Sequence, residues 1–416
     1  MDFEARHIIE ALRSGVSSRA VGYYFSSARP RIMGEIANAL NSVTERQSGG
    51  MIITGKYGEG KTHLLNTIFN MAHERNIVVS FVSLSKETPL DKLHLIYPKV
   101  VQGTYLPGRL QPGFEHIFQS MALKSPAASD LLEYILRNLE TDKLYYLLKS
   151  YLGTEDDDER FMLLADLEGD FVANGALKKI YRRIFNERFA YNVNFTKTKH
   201  TSDYFAFLSH LFSALGYDGW VILFDEAELM GRLGKKARLN AYLNMHKFLF
   251  PEKRLGLEAV HSFFAFNASF VSDVIESKNE YQNLEESLLS LEQKNEIRNV
   301  LSAISSSPQL TPLTASETQD IIKKIINFHA RAYDWTPGTS GIDISSVLSA
   351  AEKGGYLLRT RIRTIVELLD QHYQYGSAED IRVSELGQAN FDEGFEGLSD
   401  EILSLEGLLK DLGDET

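Results

Sequence analysis

The chain of 416 residues contains no cysteine, which excludes disulfide bonds, cysteine-ligated zinc and thiol catalysis. It also lacks long apolar runs: its apolar runs are short, as in Phe263–Phe266, whereas a membrane-spanning helix needs about 20 apolar residues. The N-terminus shows no basic-then-apolar secretory signal. The eleven histidines have no spacing typical of metal ligands. We therefore expect a cytoplasmic protein without a membrane segment.

An excess of basic residues is missing as well, because the formal net charge is −12. Much of the acidity falls near the end, where residues 392–416 hold nine acidic side chains and one lysine. We predict an acidic tail over 391–416. The overall charge argues against indiscriminate coating of nucleic acid. Hydrophobic residues make up 44% of the chain, enough for a large core divided among two or three domains.

One octapeptide, Gly55–Thr62, fits the pattern G-x-x-x-x-G-K-[ST] of phosphate-binding loops. The apolar run Met51–Thr54 precedes it, as a buried strand would, and residues 63–69 carry apolar positions at helical spacing. A strand, a glycine-rich loop and a helix in this order are the context that such a loop requires. A chance match in a glycine-containing loop is the alternative, and the flanking elements argue against it.

Glycines let the backbone turn sharply so that successive N–H groups converge, and the following helix adds its positive dipole end. We expect Lys61 to reach the β- and γ-phosphates and the Thr62 hydroxyl to coordinate Mg²⁺. The predicted nucleotide-binding residues are Gly55, Tyr57, Gly58, Glu59, Gly60, Lys61, Thr62 and His63.

The second half of the predicted site follows four apolar residues, Val221–Phe224, a pattern typical of a buried parallel strand. Asp225 and Glu226 come next, at the strand end where α/β sheets place their ligands. We expect Asp225 to hold Mg²⁺ and Glu226 to activate the attacking water as general base. A solvated acidic turn is the alternative. Because GTPases normally lack this glutamate and the sequence has no Asn-Lys-x-Asp motif, ATP is the predicted nucleotide.

These elements predict an α/β fold, a P-loop NTPase with a parallel sheet flanked by helices. Only helical patterns occur between about 114 and 218, so we infer a large helical insertion between the loop and the acidic strand. Helical patterns after residue 314 predict a C-terminal helical lid domain. The predicted division is N-terminal helices packed on the core over 1–48, the ATPase core over 49–313, the lid over 314–390 and the tail over 391–416.

Two further features gain meaning from this order of elements. Asn267 ends the apolar run Ser262–Phe266, and a polar residue at such a strand tip can sense the γ-phosphate. Capping of a turn is the alternative for this residue. Arg359, Arg361 and Arg363 alternate at the start of a predicted helix, where a cationic fork could distinguish ATP from ADP. A solvated or acid-paired helix face is the alternative for each arginine.

With both nucleotide motifs and a helical lid in view, the chain resembles AAA+ ATPases of the origin-recognition branch. More specifically, it is similar to the ATP-binding proteins encoded with BREX phage-exclusion systems. The resemblance implies an AAA+-like fold and places Arg359 where the family carries its lid arginine. The matching segments are Ile8–Gly15, Gly55–Leu65, Glu87–Leu90, Phe224–Leu229 and Arg359–Asp370.

The resemblance implies an ATPase that works with helicases and other defence proteins on DNA, as a motor or loader component. AAA+ proteins are usually homo-oligomers that complete the site with an arginine from a neighbouring subunit, for which Arg298 is a candidate. The alternative is a nucleotide switch that recruits a protein partner, with little turnover and no DNA contact. The predicted catalytic residues are Lys61, Glu226, Asn267 and Arg359.

Two basic clusters are candidates for DNA contact. The first, over 178–183, is interleaved with aromatic residues, which suits phosphate contact combined with base stacking. Its helical spacing is equally typical of a core-facing aromatic stripe beside an ordinary exposed basic face. The second follows the acidic strand and has the same alternative. The basic residues concerned are Lys178, Lys179, Arg182, Arg183, Lys235 and Lys236.

Overall fold

The computed structural model describes residues 2–109, 111–113, 117–118, 121–251, 256–337 and 357–376. The chain divides into two compact units, a smaller unit from residues 1–21 and 314–416 and a larger unit from residues 22–313. The predicted acidic tail over 391–416 and part of the predicted lid lie outside the described residues.

A five-stranded sheet forms the centre of the larger unit. The phosphate-loop strand and the acidic strand each have the last strand, β5, as a direct parallel neighbour, so β5 lies between them. Pairing of β2 with β4 is also parallel, and only the short β3 joins β2 antiparallel within the described sheet. The strands, in spatial order, are β1 (Gly49–Gly55), β5 (Val260–Asn267), β4 (Gly219–Asp225), β2 (Ile77–Ser83) and β3 (Thr104–Tyr105).

The predicted strands around the site are confirmed, and a short parallel bridge joins Thr54 to Gln309 on the outer side of β1. In chain order the helices are α1 (Phe3–Ser14), α2 (Arg19–Tyr24), α3 (Pro30–Thr44), α4 (Lys61–His73), α5 (Leu93–Gln102), α6 (Pro126–Asn138), α7 (Lys143–Gly153), α8 (Asp157–Ala165), α9 (Asn174–Phe185), α10 (Lys197–Ala214), α11 (Lys235–Leu249), α12 (Glu280–Glu285), α13 (Leu291–Ser305), α14 (Ala315–Tyr333) and α15 (Leu358–Tyr375).

Alternate strand residues face opposite helical layers, because successive side chains of a strand point to opposite sides. On one face, Ile53 and Val221 pack with side chains of α3 and α4. On the other face, Ile52 and Phe224 join a larger cluster with α5, α10, α11 and α13. Every residue of β4 is buried, so packing from both sides fixes the strand that carries the acidic pair.

The described elements between β3 and β4 are all helices, as predicted. Its last helix, α10, covers the sheet, because Phe205 and Phe212 pack around Trp220. The preceding helices are tied to it by a buried charge pair: Lys143 Nζ lies 2.7 Å from Asp166 Oδ2, and both side chains are fully buried. The Tyr204 hydroxyl of α10 donates to Asp166 Oδ1 at 2.6 Å.

In the smaller unit, the first helix packs against α14 and α15 with its apolar face of Ala5, Ile8, Ile9 and Leu12. The Arg13 guanidinium holds the Asp370 carboxylate with two hydrogen bonds of 2.9 and 2.7 Å. The buried His329 lies 3.0 Å from the same carboxylate through Nε2. This grouping differs from the predicted division, which places all of residues 1–48 on the ATPase core.

Candidate nucleotide-binding site

The phosphate loop connects β1 to the first turn of α4. Gly60 has a φ of 92°, a left-handed conformation that side chains rarely adopt, and it forms the N-cap of the helix. The Lys61 ammonium folds back over the loop and donates to the carbonyl oxygens of Gly55, at 3.1 Å, and Lys56, at 3.3 Å. The loop thus holds its lysine over the turn whose N–H groups converge at the helix terminus.

The two halves of the predicted site meet. The Thr62 hydroxyl donates to Asp225 Oδ2 at 2.7 Å, although these residues lie 163 positions apart in sequence. Asp225 is 6% exposed, and its other oxygen accepts the backbone N–H of Glu226 at 3.0 Å. A hydroxyl and a carboxylate at this distance fit Mg²⁺, which takes one or two protein oxygens beside phosphate oxygens and water. This pair is the arrangement that the two motifs predict.

Glu226 directly follows the acidic strand in a left-handed backbone conformation, with a φ of 56°. Non-glycine residues in this region are strained by about 1–3 kcal/mol and cluster at functional sites. Burial raises the pKa of the Glu226 carboxyl, and the neighbouring Asp225 charge adds to the effect. A raised pKa makes the carboxylate a better proton acceptor, which suits a general base.

A third acidic residue, Glu228, belongs to the site and was missed by the sequence analysis. Its side chain is half-buried and feels the charges of Lys61 and Asp225. Burial raises the pKa of its carboxyl, while the Asn267 backbone N–H acts in the opposite direction. The spacing D-E-x-E after β4 could have indicated this residue in the sequence. The 3-10 turn Ala227–Arg232 follows the strand directly and keeps Glu228 near the strand end.

Asn267 lies at the tip of β5, where it pairs in register with Gly55 of the phosphate loop. The next residue, Ala268, donates its N–H to the Gly55 carbonyl at 3.1 Å. The Asn267 side chain also caps a turn, since Oδ1 accepts the Ser269 N–H at 3.1 Å. Asn267 thus caps a turn and lies beside the loop, and its role as a γ-phosphate sensor stays a prediction.

The segment before α3 was not predicted to reach the site, yet it lies along the loop and α4. His63 is half-buried, and its Nε2 lies 3.3 Å from the Phe25 carbonyl oxygen, to which the ring N–H donates. Burial lowers the pKa of His63, so the ring is a neutral structural donor. Arg29 donates to the Glu59 carbonyl oxygen at 2.8 Å. An arginine before a proline gives no functional signal in sequence.

Glu59, predicted to bind nucleotide, braces the loop from within. Its carboxylate accepts the Lys56 backbone N–H at 2.8 Å. Its contribution to a bound phosphate would therefore come from the backbone. Tyr57 is 44% exposed at the outer turn of the loop.

The predicted lid arginines lie in the smaller unit, on the first turns of α15. The side-chain stems of Arg359 and Arg363 rest against Gly15, and Arg359 Cδ lies 3.0 Å from the position of an added Cβ. The C-terminus of α1 thus forms part of their surroundings. Arg361 is half-buried on the same helix.

Arg298, considered as an arginine offered to a neighbouring subunit, is engaged within its own chain. It forms a close ion pair with Glu285 and donates to Asn295 Oδ1 at 2.6 Å. To act on a neighbour's nucleotide it would first have to leave both partners.

The first basic cluster lies on α9, where the structure shows how its rings are used. Tyr181 is 3% exposed, and Phe189 stacks on Tyr146 with ring centroids 3.5 Å apart. Lys178 lies over the Tyr191 ring at 4.9 Å, and Arg183 forms an ion pair with Glu159. The rings pack on one another rather than facing solvent, while Lys178, Lys179, Arg182 and Arg183 lie on the exposed face.

The second basic cluster begins α11. Lys235 pairs with Glu286 at 3.0 Å, whereas Lys236 is exposed. The following arginine, Arg238, is buried and bound to the buried Glu280 at 2.6 Å. This part of α11 is therefore fixed mainly by its internal ion pairs.

With this geometry in place, a family model decides the relationship. The model for the BREX system ATP-binding protein BrxC/D matches residues 2–122 and 189–386, well over half of the chain. The chain belongs to this family. The predicted resemblance to BREX ATP-binding proteins and the predicted α/β fold are confirmed. The family model leaves residues 123–188 unmatched, and this stretch contains α6 to α9. The helix that carries the first basic cluster, α9, thus lies outside the family match.

Among solved structures, the Walker-type ATPase PABY2304 of Pyrococcus abyssi matches with 12% sequence identity and a TM-score of 0.36. The match covers 91% of this chain and 74% of that chain. No individual curated protein matches the sequence. Within the described ranges, no helix is both long and apolar enough to cross a membrane. The same ranges hold no group of three or more histidine and acidic side chains suited to a metal ion.

Proposed function

We propose that the chain binds ATP with Mg²⁺ and hydrolyses it to ADP and phosphate. The observation that carries this proposal is the 2.7 Å hydrogen bond between Thr62 and Asp225 at the mouth of the phosphate loop. These two oxygens would hold the ion, and Lys61 would leave its loop carbonyls to contact the β- and γ-phosphates. Mg²⁺, when bound, neutralises charge that develops on the phosphates.

Hydrolysis requires a water to be oriented and deprotonated beside the γ-phosphate. Glu226 is the proposed general base, because it stands next to Asp225 and burial raises the pKa of its carboxyl. Asn267 would orient the γ-phosphate or the water from the neighbouring strand tip. Arg359, with Arg361 and Arg363, would supply cations from the lid, and Arg298 would do so for a neighbouring subunit of a homo-oligomer.

We further propose that the ATPase serves a BREX defence system as a DNA-associated motor or loader component, in a complex with other proteins such as a helicase. The exposed cations Lys178, Lys179, Arg182 and Lys236 are the proposed phosphate contacts. The alternative, an ATP switch that recruits a protein without touching DNA, is favoured by the ion pairs that engage Arg183 and Lys235.

An ATPase assay of the purified chain with and without DNA separates these functions. Strong stimulation by DNA supports the motor or loader role. Nucleotide binding with negligible turnover, unchanged by DNA, supports the switch. Absence of ATP binding by calorimetry would reject both.

A further inference from the structure

The chain passes between its two units twice, near residue 21 and near residue 313. On the larger-unit side, each passage is bonded to the phosphate-loop element. The first begins at Gly22, whose carbonyl accepts from the Thr67 hydroxyl of α4 at 3.1 Å. An added Cβ at Gly22 would lie 2.8 Å from the Asn66 backbone, so the segment touches the helix closely.

The second passage runs beside the strand that leads into the loop. Thr54 donates its N–H to the Pro308 carbonyl at 3.1 Å and accepts the Leu310 N–H at 2.7 Å. Thr54 is the residue before Gly55, where the loop begins. A displacement of the loop would therefore act directly on residues 308–310.

One side chain joins all of these segments. Arg29 donates through Nη2 to the Glu59 carbonyl at 2.8 Å and through Nε to the Thr311 carbonyl at 3.0 Å. It belongs to the first passage, contacts the loop and contacts the second passage. A guanidinium suits this position because it stays charged and its planar fork donates in two directions at once.

The backbone of Arg29 has a strained, left-handed conformation. Its φ is 59° and it precedes Pro30, although a residue before proline is normally extended. Such strain persists only where the surroundings enforce it, and it clusters at functional positions. Here the strained backbone directs the guanidinium toward the loop.

The bond to Glu59 acts on the adjoining peptide plane. In a trans peptide the C=O and the following N–H point in opposite directions. By fixing the Glu59 carbonyl, Arg29 fixes the direction of the Gly60 N–H, one of the groups that converge on a phosphate. Because Gly60 is a glycine with a φ of 92°, this plane could otherwise rotate at little steric cost.

We propose that Arg29 is a positioning residue that orients the Glu59–Gly60 peptide for phosphate binding and couples the loop to both passages into the smaller unit. Nucleotide binding at the loop is thereby transmitted to residues 308–313. This inference rests on the proposed ATP site. It adds a path by which nucleotide binding changes the conformation of residues outside that site.

The test uses the full chain with Arg29→Ala and Arg29→Lys, and Arg31→Ala as the matched control. Arg31 lies on the same helix, is 95% exposed and pairs with Glu35 at 3.4 Å. ATP and ADP affinities are measured by calorimetry. Amide hydrogen exchange at residues 59–62 and 308–313 is measured without nucleotide and with saturating ATP.

Arg29→Ala should weaken ATP binding by about 10- to 100-fold, since hydrogen bonds to a charged group are lost. It should also strongly reduce the ATP-dependent change in exchange at 308–313, which wild type and Arg31→Ala retain in full. Arg29→Lys should recover most of the affinity without this coupling, because an ammonium lacks the two-directional fork. An ATP-dependent change at 308–313 that keeps its wild-type size in Arg29→Ala overturns the proposal.

Failure of the ATP site itself is recognised separately, as absence of ATP binding to wild type. In that case nucleotide-free exchange decides the coupling. Faster exchange at both 59–62 and 308–313 in Arg29→Ala and Arg29→Lys, but not in Arg31→Ala, supports it. Unchanged exchange at 308–313 overturns it.

Discussion

Two regions of the larger unit concentrate charged side chains, and they use them in opposite ways. Around the phosphate loop, Asp225, Glu226 and Glu228 gather in a partly buried space facing Lys61. On the α9 surface, cations and rings pair with one another, as Arg183 does with Glu159. At the loop, carboxylates of like charge lie close together, which costs desolvation energy. On the α9 surface, opposite charges pair with one another.

A sequence motif predicts the geometry of a site, whereas a residue composition does not. The loop motif fixes a backbone path, so the partner of Thr62 could be named from a second motif far along the chain. A basic and aromatic composition fixes no path, because the same residues can face a ligand or one another. On the α9 surface the hydrogen bond from Arg183 lowers the pKa of the Glu159 carboxyl, whereas at the loop burial raises the pKa values of Glu226 and Glu228.

The largest expected effect is at the loop lysine. Lys61→Ala should lower ATP affinity by about 10²-fold or more, because the cation reaching the β- and γ-phosphates is lost. Calorimetry with ATP measures it, and Lys56→Ala at a variable loop position is the control. Equal affinities of Lys61→Ala and wild type would remove the basis for placing phosphates at this loop.

The next effect separates the acidic residues. Glu226→Gln should bind ATP normally yet lose about 10²-fold or more in turnover, the scale of a removed general base. Glu228→Gln should keep turnover within about tenfold, because the Asn267 backbone N–H already engages the Glu228 carboxylate. Single-turnover rates measure both. A reversed order of the two variants would transfer the role of base to Glu228.

Among the helices that pack with α9, a substitution should lower stability rather than activity. Lys143→Ala leaves Asp166 buried without its cation, which should cost about 3–5 kcal/mol. Denaturant unfolding measures the lost free energy of unfolding, and amide hydrogen exchange in α7 and α10 shows where it is lost. Lys179→Ala, an exposed change in the same region, should be near neutral. Similar unfolding curves for the two variants would contradict the structural role of the Lys143 pair.

The smallest expected effect concerns DNA. Reversing Lys178 and Arg182 to Glu should weaken DNA binding modestly and reduce the salt slope by about one unit per lost phosphate contact. Binding measured at several salt concentrations checks this. An unchanged slope would assign the α9 surface to structure alone and strengthen the switch alternative.

The site was predictable where chemistry is local and was missed where it depends on packing. Gly55 to Thr62 and Asp225 with Glu226 follow from motif and flanking strand, and β5 places Asn267 beside the loop as expected. Arg29 gave no signal, because its bonds are to backbone carbonyls that any sequence would provide. Glu228 was recognisable only from spacing.

The fold shows the same division. Strand and helix periodicity predicted the sheet and the helices on its faces. It could not show that α1 packs on α14 and α15, because an amphipathic helix does not reveal which apolar face it covers. The same limit applies to Arg298, whose partner Glu285 became known only from the three-dimensional contacts.

The pairing of Arg13 with Asp370 closes a span of 357 residues. During synthesis, α1 must wait for its partners until nearly the whole described chain has been made. The entropy of bringing such distant ends together grows with the logarithm of the free length between them, and a folded larger unit removes most of that freedom. Any ligand that stabilises residues 22–313 should therefore also raise the melting temperature of the smaller unit, without touching it.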